Sequence, residues 1–278
     1  QKNVYPFLFA DLEAAITSLK ALKTSPISPQ MKKSDLAYTA DNYDNWLRYA
    51  NTLRLRLALR IIKVAPALAK TQGEAALDPQ NGGLLEANAQ NCFITTSVAH
   101  PLNIITSPTD WSDTRMGAPM ESIMGGYNDP RIGKYFVPAK DPAVLGQYKG
   151  IRSGIDIKDK ATYNGYSELV RFPQKMQLMV AAESWFLKAE AALRGWANAG
   201  VAQTNYETGI DRSMELYGLS AEANAYKNDA TSKPKPYVDP KALATGQNNI
   251  ADGSPYLSTI TIKWDETARN KKKLERII

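Results

Sequence analysis

Residues 43–65, YDNWLRYANTLRLRLALRIIKVA, predict a long helix around which the rest of the chain is organised. Apolar side chains recur in this stretch at helical spacing, and at about 100° per residue they fall within one broad stripe. The stripe consists of Tyr43, Trp46, Leu47, Ala50, Leu57, Ala58, Ile61 and Ala65. A stripe of this width is typical of a helix that is buried along one side.

Arg54 interrupts this stripe, whereas the other arginines of the stretch fall toward its flank or its far side. On the helical wheel Arg54 lies about 20° from the first residue of the stretch, in the middle of the apolar face. A guanidinium stays charged in proteins, so a buried Arg54 needs a carboxylate and further acceptors. We predict that Glu183 or Glu190 supplies that carboxylate. The alternative is that Glu190 pairs with Arg194 at i,i+4 on its own helix.

The remaining helical patterns are separated from this stretch by polar, proline-containing connectors. They cover residues 3–22, 175–197 and 202–217, and a basic helix is predicted within 258–278. A short turn joins the helices at 175–197 and 202–217, and Gly209 allows a close approach between neighbours. Such a pair forms a tetratricopeptide-like hairpin. The predicted fold class is therefore mainly α, a tetratricopeptide-like helical hairpin scaffold with a large irregular, loop-rich insertion.

The insertion comprises residues 72–171, which are rich in prolines and punctuated by glycine pairs. Only 118–125 in this region has the pattern of a short helix. Irregular chain of this length is well above the usual loop length, which favours a functional surface. We expect one domain, an excerpt of a longer chain, with a helical scaffold in 1–71 and 172–278 and the ligand-binding region in 72–171.

The composition excludes several classes of function. The net charge of +6 comes from lysines and arginines scattered along the 278 residues, and the one dense basic cluster is 271–273. Nucleic-acid binding would require a more concentrated basic stripe interleaved with aromatics, so no nucleic-acid partner is expected.

Cys92 is the only cysteine and His100 the only histidine, which predicts no disulfide framework, metal site or cofactor. No apolar run approaches the ~20 residues that a membrane-spanning helix needs.

Four segments, taken in order, resemble the SusD/RagB family of starch-utilisation-type outer-membrane lipoproteins. They are WLRYANTLRLRLALRI (46–61), NDPRIGKYFVP (128–138), AAESWFLKAEAALRGW (181–196) and YETGIDRSMELYG (206–218). The resemblance implies a helical scaffold whose loop-rich region binds the ligand. It also implies a cell-surface protein that captures oligosaccharide or polysaccharide for uptake through a TonB-dependent, SusC-like transporter. Members of the family are binding proteins and not enzymes, and their membrane contact is through a lipid anchor, which would lie outside this chain.

Candidate ligand-binding residues are aromatic and planar polar side chains in the predicted loops. Aromatic rings stack on the C–H faces of sugars, and planar polar groups exchange hydrogen bonds with paired hydroxyls. Trp111, a large aromatic in the polar loop SPTDWSDTR, is the first choice. The other candidates are Tyr127, Tyr148, Arg152, Tyr163 and Asn164. For each residue the alternative is that it packs and anchors its own loop.

Two other functions remain open from the residues alone. A helical-repeat scaffold that binds another protein would display a broad apolar patch. An all-helical glycosidase would need two carboxyl groups about 5 to 10 Å apart across a cleft. The carboxylates available in the loop-rich region are Asp110, Asp113, Glu121 and Asp129, with His100 as a possible base. No recognisable signature pairs them.

Overall fold

The structure is a computed structural model that describes residues 4–38, 43–95, 114–170 and 175–278. The described residues form ten α-helices and one two-stranded sheet. The helices are α1 (Val4–Leu22), α2 (Pro29–Ser34), α3 (Asp44–Arg60), α4 (Pro66–Leu77), α5 (Ala118–Gly126), α6 (Ile132–Tyr135), α7 (Ala181–Leu193), α8 (Ala202–Leu216), α9 (Ala223–Lys227) and α10 (Asn270–Ile277). The strands are β1 (Cys92–Thr95) and β2 (Lys175–Met179), and 3₁₀ turns occur at Pro79–Asn81, Asn88–Gln90, Pro142–Val144 and Lys160–Tyr163. The predicted fold class, mainly α with a helical hairpin scaffold and a loop-rich insertion, is confirmed.

The chain divides into two compact units. The helical unit comprises Gln1–Thr95, Lys175–Leu216 and Asp265–Ile278. The loop-rich unit comprises Thr96–Gln174 and Tyr217–Trp264. The second segment of the loop-rich unit belongs to the part of the chain that the sequence assigns to the helical scaffold. The irregular, polar segment Tyr217–Trp264 is therefore part of the loop-rich unit.

The long helix predicted at 43–65 is α3, and it ends five residues earlier than expected. Residues 61–64 form a turn, and Pro66 opens α4 at its first helical position, where a missing N–H costs nothing. Helix α3 packs on α1, α4 and α7. The main core cluster of the helical unit lies among these helices and includes Phe9, Leu55, Ala58, Leu59, Ala69, Leu77 and Ala191.

Arg54 is buried in this helical core, as its position on the wheel predicts, with 4% of its surface exposed. Its Nη2 donates to Glu13 Oε2 at 2.7 Å, and its Nε donates to Gln72 Oε1 at 2.7 Å. The guanidinium is therefore held between α1 and α4. Its carboxylate partner comes from α1, which the sequence does not predict, because periodicity shows that a face is buried but not which helix covers it.

The pairing of Arg54 with Glu183 or Glu190 is not found, since both glutamates have other partners. Arg56 on the flank of α3 forms a bidentate pair with Glu183, with Nε–Oε1 at 2.6 Å and Nη2–Oε2 at 2.5 Å. Glu190 accepts from Arg194 four residues along, at 2.9 Å from Nε, which is the local alternative. Glu183 of α7 therefore does form an ion pair with α3, but with Arg56 on the flank of that helix and not with Arg54.

The helix predicted at 175–197 begins only at Ala181, because residues 175–179 form β2. This strand pairs antiparallel with β1, with Cys92 opposite Met179 and Thr95 opposite Lys175. The segment KMQLM alternates in burial, as a strand with one covered face does. The basic helix predicted within 258–278 is also shorter, and only Asn270–Ile277 is helical.

Helices α7 and α8 form the predicted hairpin, and two glycines bring large aromatic rings close to a helix backbone. A Cβ placed on Gly209 of α8 would lie 3.0 Å from the ring of Phe186 on α7. A Cβ placed on Gly73 of α4 would lie 1.9 Å from Trp196 Cζ3. The indole of Trp196 therefore occupies the space that any side chain at position 73 would need.

We predict that Arg54 couples energetically to Glu13 and not to Glu190. In a double-mutant cycle of Arg54→Leu with Glu13→Gln, the coupling should be about 0.5–1 kcal/mol, modest because Glu13 is largely exposed. Arg54→Leu with Glu190→Gln should be additive within about 0.5 kcal/mol, since Glu190 is held by Arg194. Urea denaturation of the wild type, the three single variants and the two double variants measures both coupling energies. Coupling to Glu190 alone would contradict the observed pairing.

We predict that Gly73→Ala destabilises the protein by about 1–3 kcal/mol, because the new methyl group overlaps the Trp196 ring. The direction of the change in stability is informative, because Gly→Ala inside an unobstructed helix raises the free energy of unfolding by about 0.5–1 kcal/mol. Gly125→Ala in α5 is the matched control, because its Cβ would meet only the flexible end of Lys235, at 2.9 Å. The unfolding midpoint in urea should fall for the first variant and hold or rise for the second.

Candidate functional site

The loop-rich unit is irregular but closely hydrogen-bonded, and its centre is three adjacent backbone segments. Ile151 N donates to Met116 O at 2.8 Å, and Ala118 N donates to Ile151 O at 2.8 Å. On the other side, Ser167 N donates to Lys149 O at 3.0 Å. Backbone groups that would be costly to bury unpaired are thus satisfied without a regular sheet. This framework places residues 149–153 beside the start of α5.

A buried ion pair joins this framework to α5 and to the chain near residue 238. Lys149 Nζ lies 3.0 Å from Glu121 Oε1, and both side chains are less than a tenth exposed. The same ammonium donates to Val238 O at 2.5 Å, while Gly150 N donates to Glu121 Oε2 at 2.8 Å. Two charges removed from water are tolerated only when paired and further hydrogen-bonded, which is the case here.

Tyr237 packs against the same ion pair and connects it to a cleft. The Lys149 ammonium lies 4.3 Å from the centre of the Tyr237 ring, a cation–π contact. The Tyr237 hydroxyl donates to Gly150 O at 3.0 Å, and the backbone of Tyr237 bridges antiparallel to Ile250. Burial raises the pKa of Tyr237 above its usual range, so this hydroxyl stays a donor. The ring therefore has one fixed orientation.

Residues 233–235 pass directly over the end of α5. Lys235 N donates to Ser122 O at 3.0 Å, and Ser122 Oγ donates to Lys235 O at 2.5 Å. A Cβ on Gly126 would lie 2.3 Å from Lys233 O, so only glycine allows this approach. Helix α5, residues 152–153 and residues 234–258 are thereby brought together as three walls.

These walls enclose a cleft of about 400 Å³, hereafter the α5 cleft. This volume is at the lower end of the range for small-molecule sites, about 300–1,000 Å³. Its lining consists of Ala118, Pro119, Ser122, Ile123, Arg152, Ser153, Pro234, Tyr237, Ile250, Tyr256, Leu257 and Ser258. The cleft lies wholly within the loop-rich unit.

Tyr256 and Ile123 present apolar surface to solvent beside the α5 cleft. Tyr256 is 82% exposed, the highest value among the exposed aromatic residues of the described chain, and Ile123 is 45% exposed. Arg152 is the one charged residue among those that line the cleft. An exposed aromatic ring and an arginine that line one cleft can together stack on a ligand ring and donate hydrogen bonds to it.

Arg152 is the sequence-predicted candidate that lines the α5 cleft. Trp111 lies outside the described residues. Tyr127 is half-buried, and its hydroxyl donates to Ile260 O at 2.8 Å, which anchors the end of α5 to residue 260. Tyr148 packs in the cluster of Met116, Met124 and Phe136.

Tyr163 and Asn164 lie on a different part of the loop-rich unit. Tyr163 is buried edge-on against Tyr166, with ring centres 5.1 Å apart, and its hydroxyl donates to Asp239 Oδ2 at 2.9 Å. Burial, together with this bond, raises the pKa of Tyr163 to about 12. Tyr163 also lines a small polar hollow of about 120 Å³. Asn164 O accepts from Arg115 Nη2 at 2.8 Å. These residues have the geometry of loop-packing groups, and ligand contact at them stays a prediction.

Tyr256 is the main residue that sequence reasoning missed. It lies in the segment DGSPYLS (252–258), a polar loop with one large aromatic, the same pattern that selected Trp111. The segment falls outside the insertion predicted at 72–171, so it is not among the sequence candidates. The pattern that selects Trp111 is therefore also present at 252–258.

Two carboxylates considered for a glycosidase are already bound within the loop-rich unit. Glu121 is held by Lys149 and Gly150, as described above. Asp129 Oδ2 lies 2.5 Å from Arg131 Nη2 and accepts from the Tyr226 hydroxyl at 3.0 Å. Asp110, Asp113 and His100 lie outside the described residues.

The described residues show neither a cluster of metal ligands nor a membrane-spanning helix. No group of three or more histidine, cysteine, aspartate or glutamate side chains there is placed to hold a metal ion. None of the helices in the same ranges combines the length and the apolar character needed to cross a bilayer.

The paired helices and the loop-rich second unit define a tetratricopeptide-like helical protein with a cleft on its irregular part. The chain matches the SusD-like family model, described as "Susd and RagB outer membrane lipoprotein", over residues 1–278. It therefore belongs to the SusD-like family. A comparison with curated proteins gives no match.

Solved structures of the family resemble the chain closely. A chitin-binding SusD homologue from Flavobacterium johnsoniae has 38% identity and a TM-score of 0.86, covering 100% of this chain and 55% of its own. A SusD-like protein from Bacteroides thetaiotaomicron has 37% identity and a TM-score of 0.87, with coverages of 100% and 56%. A SusD homologue from Bacteroides uniformis has 34% identity and a TM-score of 0.87, with coverages of 100% and 55%. The chain spans just over half the length of these relatives.

We predict that Lys149→Met lowers the free energy of unfolding by about 3–5 kcal/mol, because Glu121 is left buried without its cation. Glu121→Gln added to Lys149→Met should recover part of this loss, since the amide oxygen can still accept from Gly150 N without carrying charge. Lys158→Met is the matched control: its partner Asp156 is exposed, so the change should stay within about 1 kcal/mol. Equal losses at positions 149 and 158 in urea denaturation would contradict the burial argument.

Proposed function

We propose that this protein is a cell-surface glycan-binding protein and that the α5 cleft contacts the glycan. The observation that carries the proposal is the exposed ring of Tyr256 on a cleft that Arg152 also lines. Isolated large apolar side chains on a surface are common, but a nearly bare aromatic that lines a cleft is a typical ligand contact. Aromatic faces bind the C–H faces of sugar rings, and a guanidinium donates to sugar oxygens.

The walls of the α5 cleft support binding because they are held in place before any ligand arrives. The ion pair of Lys149 and Glu121 ties α5 to residues 149–153, and Ser122 ties α5 to residue 235. A preformed site loses little conformational entropy on binding, which matters for weak, short-range sugar contacts. The rigid base and the exposed Tyr256 together favour a binding site over a purely structural cavity.

The wider role follows from the family. Its description as an outer membrane lipoprotein supports a location at the cell surface, with membrane attachment through a lipid anchor outside this chain. We propose that captured oligosaccharide is passed to a TonB-dependent, SusC-like transporter. We also propose that the protein binds its ligand without hydrolysing it, in keeping with the engagement of Glu121 and Asp129 in ion pairs.

The proposal predicts that Tyr256→Ala weakens glycan binding at least about tenfold, because the loss of a stacked aromatic ring costs on the order of 1.4 kcal/mol or more. Isothermal titration calorimetry with purified protein and an oligosaccharide panel measures the effect. Chitin oligosaccharides belong first in that panel, since one similar structure is a chitin-binding homologue. Incubation with the same panel tests for hydrolysis.

The matched control is Phe7→Ala, which removes an exposed aromatic ring, 69% accessible, from α1 of the helical unit. Phe7→Ala should leave the affinity for glycan unchanged. Trp111→Ala, measured in the same titrations as Tyr256→Ala, tests the first candidate that the sequence predicts. Unchanged affinity of the Tyr256 variant would remove the α5 cleft as the site. Failure of every glycan in the panel to bind would overturn the proposed function itself.

A further inference from the structure

The lining of the α5 cleft contains no asparagine, glutamine, aspartate or glutamate, the side chains that exchange paired hydrogen bonds with sugar hydroxyls. A bare hexose presents hydroxyls around its ring, and each loses free energy if it is buried without a partner. Among the residues lining the cleft, Arg152 alone has a planar polar side chain. Six of the lining residues are aliphatic or proline: Ala118, Pro119, Ile123, Pro234, Ile250 and Leu257.

Two of the hydroxyls in the cleft wall already donate to backbone carbonyls. Ser122 Oγ donates to Lys235 O at 2.5 Å, and the Tyr237 hydroxyl donates to Gly150 O at 3.0 Å. Neither proton is available to a ligand without breaking a bond that holds the wall. The cleft therefore offers mainly aliphatic surface, the exposed Tyr256 ring and the Arg152 guanidinium, with the hydroxyls of Ser153 and Ser258 as its remaining side-chain polar groups apart from the hydroxyl of Tyr256 itself.

Arg152 adds a requirement of its own. Within the described residues its guanidinium forms no ion pair and no side-chain hydrogen bond, although it lies half-buried against the apolar walls. A guanidinium in such a place is best satisfied by an acceptor on the ligand. A neutral carbonyl oxygen needs only this one donor. A carboxylate would need further donors to offset its desolvation, and the aliphatic walls do not supply them.

We infer that the α5 cleft selects sugars that carry an acetyl group. The methyl of the acetyl group packs on the apolar wall around Ile123, its carbonyl oxygen accepts from Arg152, and the sugar ring stacks on Tyr256. The inference rests on the proposed function and specifies the substrate class of that site. An acetamide and an acetate ester present the same methyl and carbonyl, so the test separates the two sources.

The test compares oligosaccharides of equal length and linkage by calorimetry. Chito-oligosaccharides carry an acetamide, cello-oligosaccharides a hydroxyl and fully deacetylated chitosan oligosaccharides an ammonium at the same carbon. Acetylated and deacetylated xylo-oligosaccharides form the ester arm. We expect at least one acetylated series to bind about 10- to 200-fold more tightly than its unacetylated counterpart, the range that one well-placed group provides. The arm with the larger ratio identifies the amide or the ester.

Variants in the wall connect this preference to the cleft. Ile123→Ser should reduce the ratio of acetylated to unacetylated affinity at least about threefold, because a polar wall no longer favours a methyl group. Met120→Ser is the matched control, since Met120 is exposed on the same helix but does not line the cleft, and it should leave the ratio unchanged. Arg152→Met should lower the affinity for acetylated sugars more than that for unacetylated ones.

The outcomes separate the inference from the proposed function. Equal binding of acetylated and unacetylated sugars would overturn the inference and leave glycan binding standing. A preference for uronic-acid oligosaccharides over acetylated ones would also overturn it, because Arg152 would then serve a carboxylate. If Ile123→Ser leaves the ratio of acetylated to unacetylated affinity unchanged, the acetyl group is bound elsewhere and the inference is wrong. No binding by any series would remove both proposals.

Discussion

The buried pair of Lys149 and Glu121 is the interaction on which the loop-rich unit depends. Irregular chain has no repeating hydrogen-bond pattern to hold it, so its segments must be fixed by specific contacts. Here a single ammonium meets a carboxylate from α5, the carbonyl of Val238 and the ring of Tyr237. Because an unpaired charge could not stay buried, the three segments must remain together. The walls of the α5 cleft are the result.

The helical unit follows a different principle, since apolar packing supplies most of its contacts and charge specifies only how helices meet. Arg54 lies in the core of α3 and is satisfied by Glu13 from α1 and Gln72 from α4. Arg56 clamps Glu183 of α7 on the flank of the same helix. Gly73 allows Trp196 to lie against α4. These contacts fix which faces pack, which the apolar stripe alone leaves open.

The two units are stabilised by different kinds of contact, which explains why the cleft lies in the loop-rich unit. Helix pairs bury their apolar faces against one another and leave little concave surface of their own. The loop-rich unit can expose an aromatic such as Tyr256 because its segments are already satisfied by buried polar contacts. The α5 cleft thus combines a fixed base and largely aliphatic walls with an open aromatic ring.

The sequence by itself determined the helical scaffold, the burial of Arg54, the hairpin of α7 and α8 and the family, because helical periodicity and ordered segments are local properties of the chain. It did not determine the partner of Arg54, the strand at Lys175–Met179 or the place of residues 217–264, since each depends on a neighbour distant in sequence. For the same reason Arg152 could be selected as a candidate from its residue type, but Tyr256 could not be placed beside it. Only the tertiary structure brings those two side chains to one cleft, because the contacts that join their loops are made through Lys149, Glu121 and Tyr237.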